Sequence, residues 1–540
     1  MTTEIPWLTL LIVLPLVGAA AVWGLGATSA RKHLRTVAVV FALAELVLLG
    51  LTISAFDTAD AGTFQLTETH AWIPQLGVSY AVGADGVALL LVGLAVLLVP
   101  LVVLAAWREQ DGDLAKLRHY LGLVLLLEAF MVAVFVARDV FFFYVLFEAM
   151  LIPVYFMIGG FGGGAQRRYA AVKFLLFSLA GGLVMLVGVI ALYLNGPGGE
   201  QGFLTQTLVD DLAANPLPVS TERLLFLAFF LAFAIKAPLF PVHTWLPDAA
   251  EHAPAGTSTL LVGVLDKVGT FGMLTLCLPL FPNASRWAAP VVVVLAVVSI
   301  LYGALMAIGQ TDVMRLIAYT SVSHFGFIVL GIFSFTSLSI SGASFYMFNH
   351  GISTGALFLL AGFLIARHPT RSQRLTDYGG LQRVTPVLAG TFLVAGLSAL
   401  SLPGLSTFVS EIMVLVGTFS RSNPAALVAV LGVVLAALYV LLTYQKVFTG
   451  RTPDALTGTA DLGAREKWVV APLIVALLVL GFYPAPALDL VREPAQATMT
   501  AVGLEDPAPN PELLSVEGSD SLAPQPPSWP PRSTGPTSSP

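Results

Sequence analysis

A single cysteine, Cys277, occurs in 540 residues, and it lies inside an apolar run. One thiol excludes a disulfide framework and any iron–sulfur cluster ligated by cysteines of this chain alone, and leaves Cys277 as a packing residue. Charge is scarce as well. Charged side chains make up 11% of the sequence, where a soluble domain carries roughly a quarter, and no basic patch points to nucleic acid. What fills the chain instead is hydrophobic, 57%, in runs of about 20 residues that recur from one end to the other. This is the composition of an all-α polytopic membrane protein, for which the net charge of −6 means less than where the charges lie.

The apolar runs predict fourteen spans: 7–27, 34–56, 84–106, 119–137, 140–160, 169–194, 223–247, 256–281, 287–309, 314–335, 340–366, 384–420, 424–449 and 467–488. The first lacks a basic start and is long for the apolar region of a signal peptide, so it is expected to stay as a helix. Residues 57–83 and 195–222 read as external packed caps. From Pro494 the composition turns to Pro, Ser and polar residues, which predicts a disordered external tail over 494–540. The glycine-rich stretch Gly159–Gly164 has no preceding strand and no following Lys-Ser/Thr pair, so it reads as a helix-end turn rather than a phosphate loop.

An even number of spans puts both termini on one side, and alternate loops can then be compared for Lys and Arg. Loops after odd-numbered spans hold seventeen of the 26 basic residues and the other side holds six. The asymmetry places the first set in the cytoplasm and both termini outside. Three lysines, Lys173, Lys236 and Lys267, remain inside spans.

The most informative stretch is Leu224–Asp248. An apolar run carries Lys236 near its middle, followed by Pro238, Pro241, Pro247 and His243. Pro238 and Pro241 cannot donate to the carbonyls of Ala234 and Ala237, so the helix is expected to break and leave backbone oxygens in need of polar partners. The alternative is a kinked structural helix whose lysine snorkels to a headgroup, but a residue about twelve positions into a span lies too deep for that to be easy. The long twelfth span repeats the design, with Pro403 and Gly404 in mid-span and Glu411 two turns later. Other ionisable residues at membrane depth are Glu128, Glu148, His324 and His350. Any one of them alone reads as a structural hydrogen bonder, whereas together with Lys236, Lys267 and Glu411 they read as a proton relay. Glu148 precedes Lys236 by 88 residues and His324 precedes Glu411 by 87. This suggests two five-span blocks, 119–281 and 287–449, of inverted topology, preceded by helices 1–3 (1–118) and followed by helix 14 (467–493). The proline positions themselves do not superpose.

Five stretches carry a resemblance. EAMLIPVYFMIG around Glu148, KAPLFPVHTWLPDAAEHAP from Lys236, IAYTSVSHFGFIVLG around His324, NHGISTGALFLL around His350 and LPGLSTFVSE ending at Glu411 are similar to the antiporter-like membrane subunits of respiratory complex I. The M-type, or chain 4 type, branch is the nearest, since no long amphipathic lateral helix of the L type is evident. The resemblance covers roughly spans three to thirteen. It implies fourteen helices in inverted repeats with discontinuous helices 7 and 12, in a bacterial inner membrane. It also implies roles: Glu148 and Lys236 as a coupled ion pair, Lys267 as central carrier, His324 and His350 along a hydrated axis, and Glu411 as terminal site. No cofactor is expected in this chain, with FMN, iron–sulfur clusters and quinone on partner subunits, among them neighbouring antiporter-like subunits. Desolvation favours the neutral form of a lysine and a nearby carboxylate its charged form, so displacing the charge of Glu148 would load or release a proton at Lys236. Three alternatives share the same features: a subunit of an Mrp-type cation/proton antiporter, a subunit of a hydrogenase-linked pump, and a non-transporting scaffold whose buried charges serve assembly.

Overall fold

The computed structural model describes residues 5–108 and 113–508. Helices α1 (Trp7–Gly24) and α2 (Ala27–Ser54) are followed by an antiparallel hairpin, β1 (Gln65–Ile73) and β2 (Val78–Ala84), with His70 opposite Tyr80. Then come α3 (Gly86–Ala105), α4 (Leu114–Val136), α5 (Val140–Ala149), α6 (Leu151–Phe161), α7 (Arg167–Asn195) and the short α8 (Thr205–Ala214). The expected seventh span is divided into α9 (Val219–Lys236) and α10 (Trp245–His252). The eighth is one rod made of α11 (Ala255–Leu260), α12 (Lys267–Gly272) and α13 (Leu278–Leu280), joined by wide π-helical turns at Leu261–Leu265 and Met273–Cys277. The remainder is α14 (Pro282–Ile308), α15 (Val313–Phe333), α16 (Ser337–Arg367), α17 (Pro386–Ala399), α18 (Ser406–Arg421), α19 (Asn423–Phe448), α20 (Ala464–Phe482) and α21 (Ala485–Val502).

Local chemistry sets where the helices begin. Asp85, Asp113, Asp139 and Asp312 each sit at an N-cap and accept from the amide three residues on, at 2.7, 3.0, 2.9 and 2.9 Å. Each carboxylate satisfies an orphan amide and faces the positive end of the helix dipole. The expected fifth span is interrupted after Ala149, where Pro153 has no amide to offer the Ala149 carbonyl. The glycine-rich stretch is the end of α6: Gly163 donates its amide to the His252 carbonyl at 2.8 Å, and a Cβ on Gly162 would come within 2.3 Å of that oxygen.

Burial sorts the helices into an inside and an outside. α15 is buried along its whole length and the α11–α13 rod almost so, with α3 and α16 next. By contrast α2, α7, α14 and α19 present exposed apolar side chains such as Val47, Val187, Val294 and Val434. Faces that stay apolar while exposed, on helices 26–29 residues long, suit lipid or the apolar flank of a neighbouring membrane subunit, and not water. Among the described residues eleven helices are long and apolar enough to cross a membrane, or twelve with the bent pair α20 and α21. The halves of the two broken segments, α9 with α10 and α17 with α18, are not among them.

Three expectations change. Helix 14 does not run straight over 467–493: α20 and α21 meet at 69° near Pro484. Residues from Pro494 to Val502 are helical rather than disordered, because Val491, Ala495, Met499 and Val502 form an apolar stripe that is buried. α21 lies like a strap over the hairpin side: Glu493 accepts from the Gly62 amide at 3.2 Å, and a Cβ on Gly86 would come within 1.8 Å of the Leu490 carbonyl. Beyond it, the backbone carbonyl of Glu505 accepts from the Arg421 side chain at 2.8 Å and the Asp506 carboxylate from the Ser337 amide at 2.8 Å. The rest of the expected tail, 509–540, lies outside the described residues. Finally, the caps at 57–83 and 195–222 contain the β-hairpin and α8, so a small β element joins the helices.

Candidate functional site

Lys236 is the last residue of α9, at the helix C-terminus, where the dipole favours a cation. One of the carbonyls freed by the prolines, Ala234 O, and the neighbouring Ile235 O find partners. Leu239 donates to Ala234 O at 3.0 Å and the Trp245 indole donates to Ile235 O at 2.9 Å. The second break, between α17 and α18, is shaped by Ser401 at φ +57° and Gly404 at φ +94°. A non-glycine residue in the left-handed region costs energy, and here it aims the Ser401 hydroxyl at Glu411 Oε2, 2.8 Å away. Thr407 in turn donates to the Ser398 carbonyl at 2.6 Å.

A run of buried contacts, hydrogen-bonded except between its two histidines, leads from the middle of the molecule to that second break. Lys267 Nζ contacts Val262 O at 2.6 Å and His350 Nδ1 at 2.7 Å, and lies 4.9 Å from the centroid of the Phe325 ring. The His350 ring is 5.2 Å, centroid to centroid, from His324. His324 Nδ1 meets the Tyr346 hydroxyl at 2.7 Å, and that hydroxyl donates to Glu411 Oε2 at 2.6 Å. Tyr439 closes the set at 3.3 Å from His324 Nε2. With Tyr346 donating to Glu411, its oxygen is left to accept from His324 Nδ1–H. All of these side chains are buried.

Around the first break the groups are close but unjoined. Lys236 Nζ is fully buried and has no hydrogen-bond partner among the described residues; it sits 4.6 Å from the centroid of the Phe147 ring. Glu148 is only half-buried, and its Oε1 is unpartnered. It occupies a notch made by Gly182 of α7, where a Cβ would come within 1.5 Å of that oxygen. Asp266 is fully buried with both oxygens unpartnered, and both ring nitrogens of His243 are in the same condition.

Glu128 lies elsewhere. The charge that acts on it is Glu45 of α2, and both carboxylates are fully buried with no partner among the described residues. Lys173 is near the start of α7 and pairs with Asp248 of α10 at 2.6 Å; Arg315 of α15 bonds the same carboxylate at 2.6 Å and Glu251 at 2.9 Å. This ion network ties α10, the loose half of the broken segment, to two neighbouring helices. Among the described residues no group of three or more His, Cys, Asp and Glu side chains could hold a metal ion.

Among the described residues, besides the histidines, six Asp, Glu and Lys side chains well inside the spans are buried: Glu45, Glu128, Lys236, Asp266, Lys267 and Glu411. At ~3 kcal/mol for an ionised group at a bilayer centre, charging all of them would cost more than the ~5–15 kcal/mol of net stability a folded domain holds. As isolated charges they would be costly, which favours neutral forms or mutual compensation. Of these, Glu45 and Asp266, like the Tyr346, Tyr439 and Ser401 hydroxyls around His324 and Glu411, are additions to the residues expected from the sequence. The two carboxylates carry a readable signal, a charge inside an apolar run; the hydroxyls carry none.

Comparison with known proteins agrees with this architecture. The family described as NADH:quinone oxidoreductase/Mrp antiporter, transmembrane, matches residues 137–437. NADH-quinone oxidoreductase subunit M of Mycobacterium tuberculosis (strain ATCC 25618 / H37Rv) is 46% identical over 536 residues, covering 94% of this chain and 96% of the relative. The subunit M of Rhodobacter capsulatus is 38% identical over 495 residues, covering 90% and 94%. A chain of respiratory complex I from Thermus thermophilus with bound NADH superposes with a TM-score of 0.82 at 33% identity, over 92% of this chain and 100% of that one. A chain of the Mrp complex from Dietzia sp. DQ12-45-1b superposes with a TM-score of 0.79 at 24% identity, over 93% and 100%, which is a likeness of fold alone. The M subunits of NADH-quinone oxidoreductase are the family to which this membrane-spanning chain belongs.

Proposed function

We propose that this chain is a proton-translocating subunit of the membrane arm of NADH:quinone oxidoreductase, driven by redox chemistry in partner subunits. The observation that carries the reading is the buried run from Lys267 through His350, His324 and Tyr346 to Glu411. Four of its five members are groups that exchange protons, and the hydroxyl of Tyr346 links the last two. In this reading Glu148 sets the charge state of Lys236, protons pass from there to Lys267 and the histidines, and Glu411 beside the second break is the exit. Glu128, placed with Glu45, stands outside the relay. FMN, iron–sulfur clusters and quinone belong to the partners, including neighbouring antiporter-like subunits, and the membrane is the bacterial inner membrane. Counting each broken segment once gives fourteen crossings, with both termini outside and the 367–383 loop in the cytoplasm; a reporter fused in that loop and read as external would reverse the orientation. Corresponding breaks at Lys236–Trp245 and Ala399–Ser406 fit two inverted halves, 119–281 and 287–449.

The test is Glu148→Gln against Glu148→Asp in the assembled complex. Gln keeps the shape and loses the charge, whereas Asp keeps the charge and moves it by about one methylene, which changes a screened Coulomb interaction little. Quinone-dependent NADH oxidation and proton uptake into inverted vesicles, normalised to assembled complex on a native gel, should stall with Gln and largely persist with Asp. Equal tolerance of both would instead favour a pair that only holds helices together, since a neutral buried partner still hydrogen-bonds a lysine.

A further inference from the structure

Between the unjoined groups at the first break and the buried run lies Asp266. Its backbone closes the π-helical turn, donating to Leu261 O, five residues back, at 3.0 Å. Its neighbours on the next turn show which way the side chain's face looks. Gly269, three residues on, is pressed against the end of α9: a Cβ there would come within 2.5 Å of Phe233 O and 2.6 Å of the Ala237 amide. Thr270, four residues on, donates to Met347 Sδ of α16 at 2.9 Å. Side chains three and four apart share a helix face, so Asp266 looks into the seam between the α9 terminus, which carries Lys236, and α16, which carries His350. Its carboxylate acts electrostatically on both Lys267 and Lys236. A fully buried carboxylate with neither oxygen hydrogen-bonded among the described residues is costly as structure alone.

We propose that Asp266 is a proton-carrying station between Lys236 and Lys267, joining the two halves of the relay. The step balances without any other reactant. An N–H bond of the Lys236 ammonium breaks as an O–H bond forms on the Asp266 carboxylate, leaving a neutral amine beside a neutral acid. The O–H bond then breaks as the neutral Lys267 amine takes the proton, restoring the carboxylate and making the second ammonium. Neither lysine need approach the other, and no net charge is added to the seam during the transfer. This rests on the relay reading above and specifies its middle.

Asp266→Asn, Asp266→Leu and Asp266→Glu, each in the complete complex in inverted membrane vesicles, test it beside Glu148→Gln. Proton uptake per assembled complex should fall on the order of tenfold or more in Asn and Leu, the scale on which positioned proton donors and acceptors act, and Glu should retain most of it. Leu is the decisive variant, because replacing an unpartnered buried carboxylate by an apolar group of similar size is tolerated where the role is packing. Normal pumping in Asp266→Asn or Asp266→Leu while Glu148→Gln stalls would overturn the station and leave the relay standing. Normal pumping in all of them would remove the relay itself. Failure of Asn and Leu to assemble, with Glu assembling, would make Asp266 a structural charge and also overturn the proposal.

Discussion

The two breaks in the membrane helices are built alike and finished differently. At the second, Glu411 is held by Ser401 at 2.8 Å and Tyr346 at 2.6 Å, and the chain of contacts continues inward to His324. At the first, Lys236 has an aromatic ring for a neighbour and no hydrogen bond, and Glu148 leans into a glycine notch on another helix. Groups joined at 2.6–2.8 Å can exchange a proton by small rearrangements of bonds already made. Groups held apart influence each other through charge and exchange nothing until something moves or water enters. On the proposed relay, the second break is the end that would conduct and the first the end that would be switched.

The largest effect expected from breaking this contrast is at the conducting end. Tyr346→Phe keeps the ring and deletes the one hydroxyl that joins His324 to Glu411. Proton uptake per assembled complex should drop on the order of tenfold or more, with normal assembly on a native gel; unchanged uptake would show that the hydroxyl is packing only. At the switching end, Gly182→Ala puts a methyl where Glu148 Oε1 now sits. The carboxylate must shift, and coupled turnover should fall by about threefold to tenfold. Adding Glu148→Asp, one methylene shorter, should recover part of the loss, and no recovery in that double variant would mean that the notch matters for helix packing and not for the carboxylate. The smallest effect belongs to Glu128→Gln. Because Glu128 faces Glu45 rather than either break, turnover should stay within about twofold of the unaltered complex, measured as proton uptake per NADH oxidised. A stalled pump in this variant would bring the α2–α4 pair into the relay.

The charged members of this site are legible in the sequence for a plain reason. A lysine or glutamate inside an apolar run of 20 residues is expensive, so Lys236, Lys267, Glu148 and Glu411 stand out without any structure, as do the prolines that break their helices. Asp266 and Glu45 carry the same signal; the first is masked by its neighbour Lys267 and the second by its position in a helix with an exposed apolar face. Tyr346, Tyr439 and Ser401 are silent, because hydroxyls are common in membrane helices and their importance comes from what they meet across 10 to 115 residues of chain. Gly182 is silent too, since its function is the space it leaves. The end of the chain misleads for a different reason. Pro494 and the polar composition after it conceal an apolar stripe spaced for a helix, and that stripe counts only because the bundle offers it a face to cover.

The strap formed by α21 ties together parts of the chain made at very different times. The hairpin is complete at Ala84 and the strap at Val502, about 420 residues later. At ~5–20 residues per second of synthesis, that is an interval on the order of 20–80 s in which Gly62 and Gly86 have no lid, Ser337 lacks the Asp506 carboxylate and Arg421 lacks the Glu505 carbonyl. Through that interval the hairpin and the first helices are held by the other helices already made, and the contacts of Ser337 with Asp506 and of Arg421 with the Glu505 carbonyl form only after the whole of α21 has emerged.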